Sequence, residues 1–408
     1  MTKNNEHTHT NGINEVREYY ARKHGIDPED IYVDVGERDW KDVKRDEEQK
    51  RGLKPGELTA GEVFWVGDRL VRMEIELEKH AGNPILTPNP PVAWESQAVF
   101  NAGVIHKDDT FHMLYRAIGE YDSYISRLGY AVSEDGVTFR RVSDRPVMEP
   151  EFEYERFGCE DPRIQEIDGT MYVTYVALDK NEKGQILPLT ALARTDDFLT
   201  YEKLGLINPA QTINKDTVIF PRKIDGRYMM LHRPHNWTES EIRRKKGRLQ
   251  VKMHDRWFAW DLDEIPDSFP EKPAIWAAYS DDLLHWSGHH VLMESAFPWE
   301  DSKIGGGCPP IETEYGWLTL FHGVGKTPTG NRMYCAGAAL LDRDDPTKVL
   351  CRLEEPILIP ECDYELHGDV PCVVFPEGAV LFDDGRLFIY YGGGDKCVNL
   401  ATGTVKFT

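Results

Sequence analysis

One pattern recurs five times in this chain and constrains its fold more than any other feature. It is an apolar strand, a turn built on Asp or Gly, and then a strand rich in aromatic residues. The turns and their following strands are Asp108-Asp109 with FHMLYRA, Asp168-Gly169 with TMYVTYVA and Asp225-Gly226 with RYMMLHRP, then Tyr315-Gly316 with WLTLFHGV and Asp384-Gly385 with RLFIYYGG. Asp-Gly supplies the positive backbone angles that tight hairpin turns demand. A second hairpin half follows most copies, as in RLGYAVSEDGVTFRRV, LTALARTDDFLTYEKL and AIWAAYSDDLLHWSGHH. Each unit therefore reads as about four short antiparallel strands, which is what a propeller blade needs.

The turns are spaced 60, 57, 90 and 69 residues apart, so the units are alike but carry unequal loops. The predicted fold is all-β: a five-bladed β-propeller over residues 61–408, with a short, partly helical N-terminal extension over residues 1–60. The segment GEVFWVGDRLVRMEIELEK is expected to complete the last blade from the other end of the chain. A β-sandwich is the competing all-β reading and fits five paired hairpins less well. Residues 13–23 and 38–51 are polar and rich in helix formers, and Pro55-Gly56 then breaks the chain. The extension is either a solvated segment or an arm that grips a second copy in a homo-oligomer, and the sequence leaves both open.

A formal net charge of −22 repels the phosphate backbone of nucleic acids, so no nucleic-acid partner is expected. The one basic run, Arg243-Arg244-Lys245-Lys246-Gly247-Arg248, reads as a solvated or interface loop. It lies in a long third-unit insertion, 236–273, which also carries Trp257-Phe258-Ala259-Trp260. The first ten residues lack the apolar core of a secretory signal, and no run approaches the roughly 20 apolar residues of a membrane span. A cytoplasmic protein with no membrane partner is expected. The seven cysteines show neither CxxC pairs nor zinc-ligand spacing, so reduced buried thiols and no metal site are expected.

Polar residues sit where a β core should not want them. In Phe157-Gly158-Cys159-Glu160-Asp161-Pro162-Arg163-Ile164, two acids and a cation precede an aromatic strand, a costly placement unless they are paired or wet. A structural ion-pair network at a blade joint is one reading and a catalytic acid, Asp161, is the other. Comparable junctions are 96–101, 214–218, 305–310 and 367–371, and a ring would bring them to one mouth. The strand ends add Tyr115-Arg116, His232-Arg233, His322-Gly323 and Asp395-Lys396. Inverting glycoside hydrolysis uses two carboxyl groups, one as acid and one to activate water. One outstanding Asp among several cations fits attack by phosphate better, because that nucleophile is already anionic.

At this point the chain resembles a known family. GCEDPR, the VIFP…HRP segment, GxPPI…HGV and the VPxVVFPxG…YGGGD run are similar to glycoside hydrolase family 130, the β-mannoside phosphorylases and related β-mannosidases, over residues 83–405. The resemblance is nearest to the mannooligosaccharide phosphorylase branch. It implies a five-bladed propeller with its site in the central cavity and Asp161 as general acid, relaying its proton through the mannosyl 3-hydroxyl. Phosphate, a co-substrate rather than a cofactor, would attack from the opposite face and release α-mannose 1-phosphate. The phosphate ligands it implies are Lys215, His232 and Arg233, with Arg163 and Arg194 as further candidates. Asn101, Tyr115, Arg116, His322 and Asp395 are expected to contact the substrate, a β-mannoside oligosaccharide or a mannosyl-glucose. A β-mannosidase using water is the alternative, kept open by Asp216, Glu300 and Asp301, any of which could be the second acid.

Overall fold

Alternating apolar and polar residues between turn-forming pairs produce hairpins, and hairpins are what the chain folds into. The structure, a computed structural model, describes residues 63–66, 69–262, 264–327 and 330–408; the expected extension over residues 1–60 lies outside the described residues. In chain order, β1 (Val63–Val66) and β2 (Arg69–Lys79) come first. The first unit is β3 (Ala98–Lys107), β4 (Thr110–Ile118), β5 (Ser126–Ser133) and β6 (Arg140–Arg141). The second is β7 (Gly158–Ile167), β8 (Thr170–Lys180), β9 (Ile186–Thr195) and β10 (Glu202–Leu206). The third opens with β11 (Asn214–Ile219) and β12 (Tyr228–Pro234). It then detours through β13 (Ile242–Lys245), β14 (Arg248–Met253) and β15 (Arg256–Ala259), and resumes with β16 (Ile275–Ser280) and β17 (Trp286–Met293). The fourth is β18 (Lys303–Gly306), β19 (Ile311–Glu312), β20 (Trp317–Lys326), β21 (Arg332–Leu341) and β22 (Val349–Arg352). The last is β23 (Val374–Leu381), β24 (Arg386–Gly393) and β25 (Cys397–Phe407).

The units are antiparallel meanders, and the first two are joined into one sheet by a single parallel pairing, Ser126 with Gly158. The final sheet runs β1-β2-β25-β24-β23, so a strand from the start of the described chain completes the last unit, from Met73 opposite Phe407 to Lys79 opposite Ala401. This is the closure expected from GEVFWVGDRLVRMEIELEK. Three of the five hairpin turns behave as Asp and Gly dictate: Asp108 and Asp109, Asp168 and Gly169, and Asp225 and Gly226 all have positive φ.

The first strands of the units touch in cyclic order, β3 against β7, β7 against β11, β11 against β18, and β23 against β3. Between the fourth and fifth units, a Cβ on Gly307 would lie 2.9 Å from the carbonyl of Leu320 and 3.0 Å from that of Pro376, closer than side chains ordinarily approach, which favours glycine there. Gly103 does the same between β3 and β7, where a Cβ would meet the Pro162 carbonyl at 2.3 Å. Apolar clusters fill the spaces between neighbouring sheets: Leu318, Leu320, Ile389 and Tyr391 in one, Val99, Met113, Tyr390 and Leu400 in another. Residues of all five units line one open pocket of about 450 Å³, among them Val104, Ile164, Pro221, Pro310 and Leu381, and none of the expected site residues lines it.

The inserted strands β13–β15 form a sheet of their own, anchored by Val251, Trp237, Trp260, Phe269 and Trp276. They lean on the β8–β9 loop through Lys183 with Asp255 and His254 Nε2 with the Ile186 carbonyl at 2.9 Å, while Arg244–Arg248 are exposed. All seven cysteines are free, and six of them are buried. Among the described residues no helix is long and apolar enough to cross a membrane.

Candidate active site

The inner strands are not regular. β3, β7, β11 and β23 each slip register at the same station, between Phe100 and Ala102, Glu160 and Arg163, Lys215 and Val218, and Pro376 and Gly378. A β-bulge turns one side chain out of the alternating pattern. Here it turns four: Asn101, Asp161, Asp216 and Glu377. Three of them take the left-handed conformation, with φ of 47° at Asn101, 51° at Asp161 and 58° at Asp216. That conformation is disfavoured for side-chain-bearing residues and common where function requires it.

Asp161 is buried, and its Oδ1 accepts from Asn101 Nδ2 at 2.9 Å and from Arg116 NH1 at 3.0 Å. Arg116 also pairs with Glu160 and donates from Nε to Ser126 Oγ at 2.9 Å. Lys215 Nζ lies 3.5 Å from the other oxygen of Glu160. Burial opposes a charge on Asp161, but Arg116, Lys215, Arg163 and the Asn101 amide outweigh it and hold the carboxyl below its ordinary range. Asp216 is likewise held low against its burial by Arg233, His322 and Arg163; Arg233 grips its Oδ2 through both Nε and NH2. Burial pushes Asp395, on the same side, up to about 7, with Arg116 opposing and Asp161 adding.

A cationic group stands beside these acids. Arg233 NH1 is 2.7 Å from His235 Nε2, and burial with Arg233 and Lys303 nearby keeps His235 well below its usual value, so it is neutral. Lys303, at the start of β18, has its ammonium 5.5 Å from the Tyr334 ring centre. Burial, reinforced by Arg233 and Lys215, brings it down to about 7. Neither Lys303 nor His235 was among the residues expected from sequence.

The expected site residues thus divide. Asp161, Asn101, Arg116, Arg163, Lys215 and Arg233 come together; His322 Nε2 lies 3.7 Å from Asp216, and Asp395 faces Arg116 and Asp161. Arg163 is present, but not as a free anion ligand: it donates to the carbonyls of Gly307 at 2.9 Å and Asp161 at 3.0 Å and contacts Asp216 and Glu377. Three expectations fail on placement. Arg194 is a surface residue paired with Glu202. His232 points to the other face of its strand from Arg233, against Asn214, His289 and Trp237. Tyr115 does the same beside Arg116: its ring stacks on Trp94 and its hydroxyl donates to buried Glu95 at 2.8 Å. The same link recurs as Tyr175 to Glu155 and Tyr391 to Glu365, so it belongs to the packing of the units.

The acids that kept hydrolysis open are also placed. Glu300 is buried, paired with Arg352, and caps the amides of Ala296 and Phe297; Asp301 pairs with Lys272 at the surface. Asp216 is clamped by two arginines. Glu377 was missed because the fifth junction was expected at 367–371, whereas the bulge falls at Pro376-Glu377-Gly378. Asn101 and Asp161 stand at one distance before Asp108 and Asp168, and the same distance before Asp384 falls on Glu377.

With the geometry in place, comparison with known proteins is direct. The sequence profile of glycoside hydrolase family 130, described as β-1,4-mannooligosaccharide phosphorylase, matches residues 76–243 and 242–407. The two matches meet within β13, at residues 242–243. A 1,2-β-oligomannan phosphorylase of Thermoanaerobacter sp. is 38% identical over 333 residues, 80% of this chain and 97% of that protein. A β-1,4-mannooligosaccharide phosphorylase of Ruminococcus albus is 31% identical over 80% of this chain and 88% of its own length. Among solved structures, the β-1,2-mannobiose phosphorylase of Listeria innocua in complex with β-1,2-mannobiose superposes with a TM-score of 0.63 at 29% identity, covering 80% of this chain and 96% of that one. The chain belongs to glycoside hydrolase family 130.

Proposed function

We propose that this protein is a β-mannoside phosphorylase, that its five units are the blades of a propeller, and that its substrate is a β-1,2-linked oligomannoside. The observation that carries the reaction type is the contrast between two bulged acids. Asp161 lies beside the cationic group, whereas Asp216, the nearest candidate for a water-activating base, is locked between Arg233 and Arg163. A hydrolase needs the second carboxylate free; a phosphorylase does not. Preference for β-1,2 linkages is supported by the 38% and 36% identity to a 1,2-β-oligomannan phosphorylase and a β-1,2-mannobiose phosphorylase.

Asp161 is the proton donor, relaying its proton to the departing oxygen through the mannosyl 3-hydroxyl. Lys215, Arg233, His235 and Lys303 hold phosphate on the far side of the anomeric carbon, where inversion gives α-mannose 1-phosphate. Asn101 and Arg116 orient Asp161, while Asp395 and His322 stand where sugar hydroxyls would be read. In the free protein the surrounding cations keep Asp161 ionised. A phosphate dianion among those cations offsets them, so the acid takes up its proton when the co-substrate is in place. Turnover of β-1,2-mannobiose and β-1,4-mannobiose with and without inorganic phosphate tests the proposal. Sugar phosphate formed only when phosphate is present, and faster from the β-1,2 disaccharide, supports it; free mannose formed equally in both conditions contradicts it.

A further inference from the structure

One buried acid at the centre of the ring has no part in the reaction as described. Glu377 stands on the β23 bulge, at the station that Asn101, Asp161 and Asp216 occupy in their own strands, and is fully buried. Its Oε1 lies 3.1 Å from Arg163 NH2, an ion-pair contact, and neither of its oxygens accepts a hydrogen bond. Arg163 is the tie between units: it reaches Asp216 of the third unit at 3.5 Å, the Gly307 carbonyl of the fourth at 2.9 Å and Glu377 of the fifth. Its NH1 donates to the main-chain carbonyl of Asp161 at 3.0 Å. That carbonyl belongs to a residue at φ 51°, a conformation that persists only where its surroundings hold it.

We propose that Glu377 is a positioning residue for Asp161, acting through Arg163, an inference that rests on the assignment of Asp161 as proton donor. Two acids approach the Arg163 guanidinium, and they have different second duties. Asp216 also holds Arg233. Without Glu377, Arg163 has only Asp216 as its acid, must share it with Arg233, and loses its fixed orientation toward the Asp161 carbonyl. The consequence falls on the direction of the Asp161 carboxyl, and a displacement of about 1 Å at a reacting group costs on the order of 100-fold in rate. Burial pushes the Glu377 carboxyl well above its ordinary value, with Arg163 opposing and Asp161 and Asp216 adding to the rise. What Arg163 meets at this position is thus an oxygen at contact distance rather than a full charge, and glutamine offers one.

The experiment compares Glu377→Leu, Glu377→Gln, Arg163→Lys and the Leu–Lys double variant at saturating phosphate, with folding checked by circular dichroism. Glu377→Leu is expected to lower kcat by about 30-fold or more with the mannoside KM within about threefold, and Glu377→Gln to recover about tenfold of that loss. The double variant is expected to fall within about twofold of Arg163→Lys alone, because both changes break one linkage. A folded Glu377→Leu enzyme with wild-type kcat, or losses that multiply in the double variant, overturns the inference. Should Glu377→Leu fail to fold, Glu377→Gln replaces it in the cycle, and multiplying losses there overturn it equally. Asp161→Asn is measured alongside. If it keeps wild-type activity, the donor assignment fails; if it is inactive while Glu377→Leu turns over normally, only the role of Glu377 fails.

Discussion

Arg116 and Arg233 occupy the same station in two different units. Each pairs across its hairpin with the residue just before an inner-strand bulge, Phe100 and Lys215, and each guanidinium reaches a bulged carboxylate, Asp161 and Asp216. The difference lies in whose carboxylate it is. Arg233 holds the acid of its own unit, whereas Arg116 reaches into the next unit and shares itself with Glu160 and Ser126. Asp161 is thereby oriented through one oxygen, while Asp216 is gripped by Arg233 and also contacted by Arg163. A repeated scaffold has made one acid available and immobilised the other.

Replacing Asp161 by Asn removes the proton but keeps the shape. We expect kcat to fall by about 10²- to 10⁴-fold, the range for loss of a general acid, with the mannoside dissociation constant within a few-fold of wild type by calorimetry.

Lys303 carries a prediction about pH. Its value near 7 means that the free protein loses this positive charge as pH rises through neutrality. Sulfate, which does not titrate in this range, is the suitable probe: its competitive inhibition should weaken from pH 6 to pH 8 in the wild type. In Lys303→Met, inhibition should be weaker at pH 6 and should change less with pH than in the wild type, Asp395 being the other group of the site that titrates near 7, and the KM for phosphate should rise about tenfold, in line with loss of one charge-assisted contact.

Tyr115 should matter for stability and not for chemistry. Tyr115→Phe leaves buried Glu95 short of a donor, so unfolding in urea should show a loss of about 1–3 kcal/mol. Its KM values should remain those of the wild type.

Arg194→Ala should leave both phosphate KM and the urea unfolding midpoint unchanged, because its ion pair with Glu202 is exposed. A rise in phosphate KM would show that Arg194 reaches the anion.

The hairpins, their turns and the closing strand were legible in the sequence because Asp-Gly pairs and alternating apolar residues have local causes. Asp161, Lys215 and Arg233 were legible because charge beside an aromatic strand is conspicuous. Two of the three misplaced residues share one cause: in Tyr115-Arg116 and His232-Arg233, neighbours on a strand point to opposite faces. Which member faces the centre is set by pairing register around a bulge, a property of two strands and not of one. Lys303 escaped notice because its value as a site residue comes from the β11 and β12 cations it meets only when β18 packs against those strands.

The most direct measurement follows the anomeric centre itself. Phosphorus and proton NMR of the reaction on β-1,2-mannobiose should show α-mannose 1-phosphate as the first sugar product, as attack by phosphate opposite the bond served by Asp161 requires. Appearance of β-mannose 1-phosphate, or of free mannose as the first product with phosphate unconsumed, would contradict the placement of acid and cations on opposite faces of one bond.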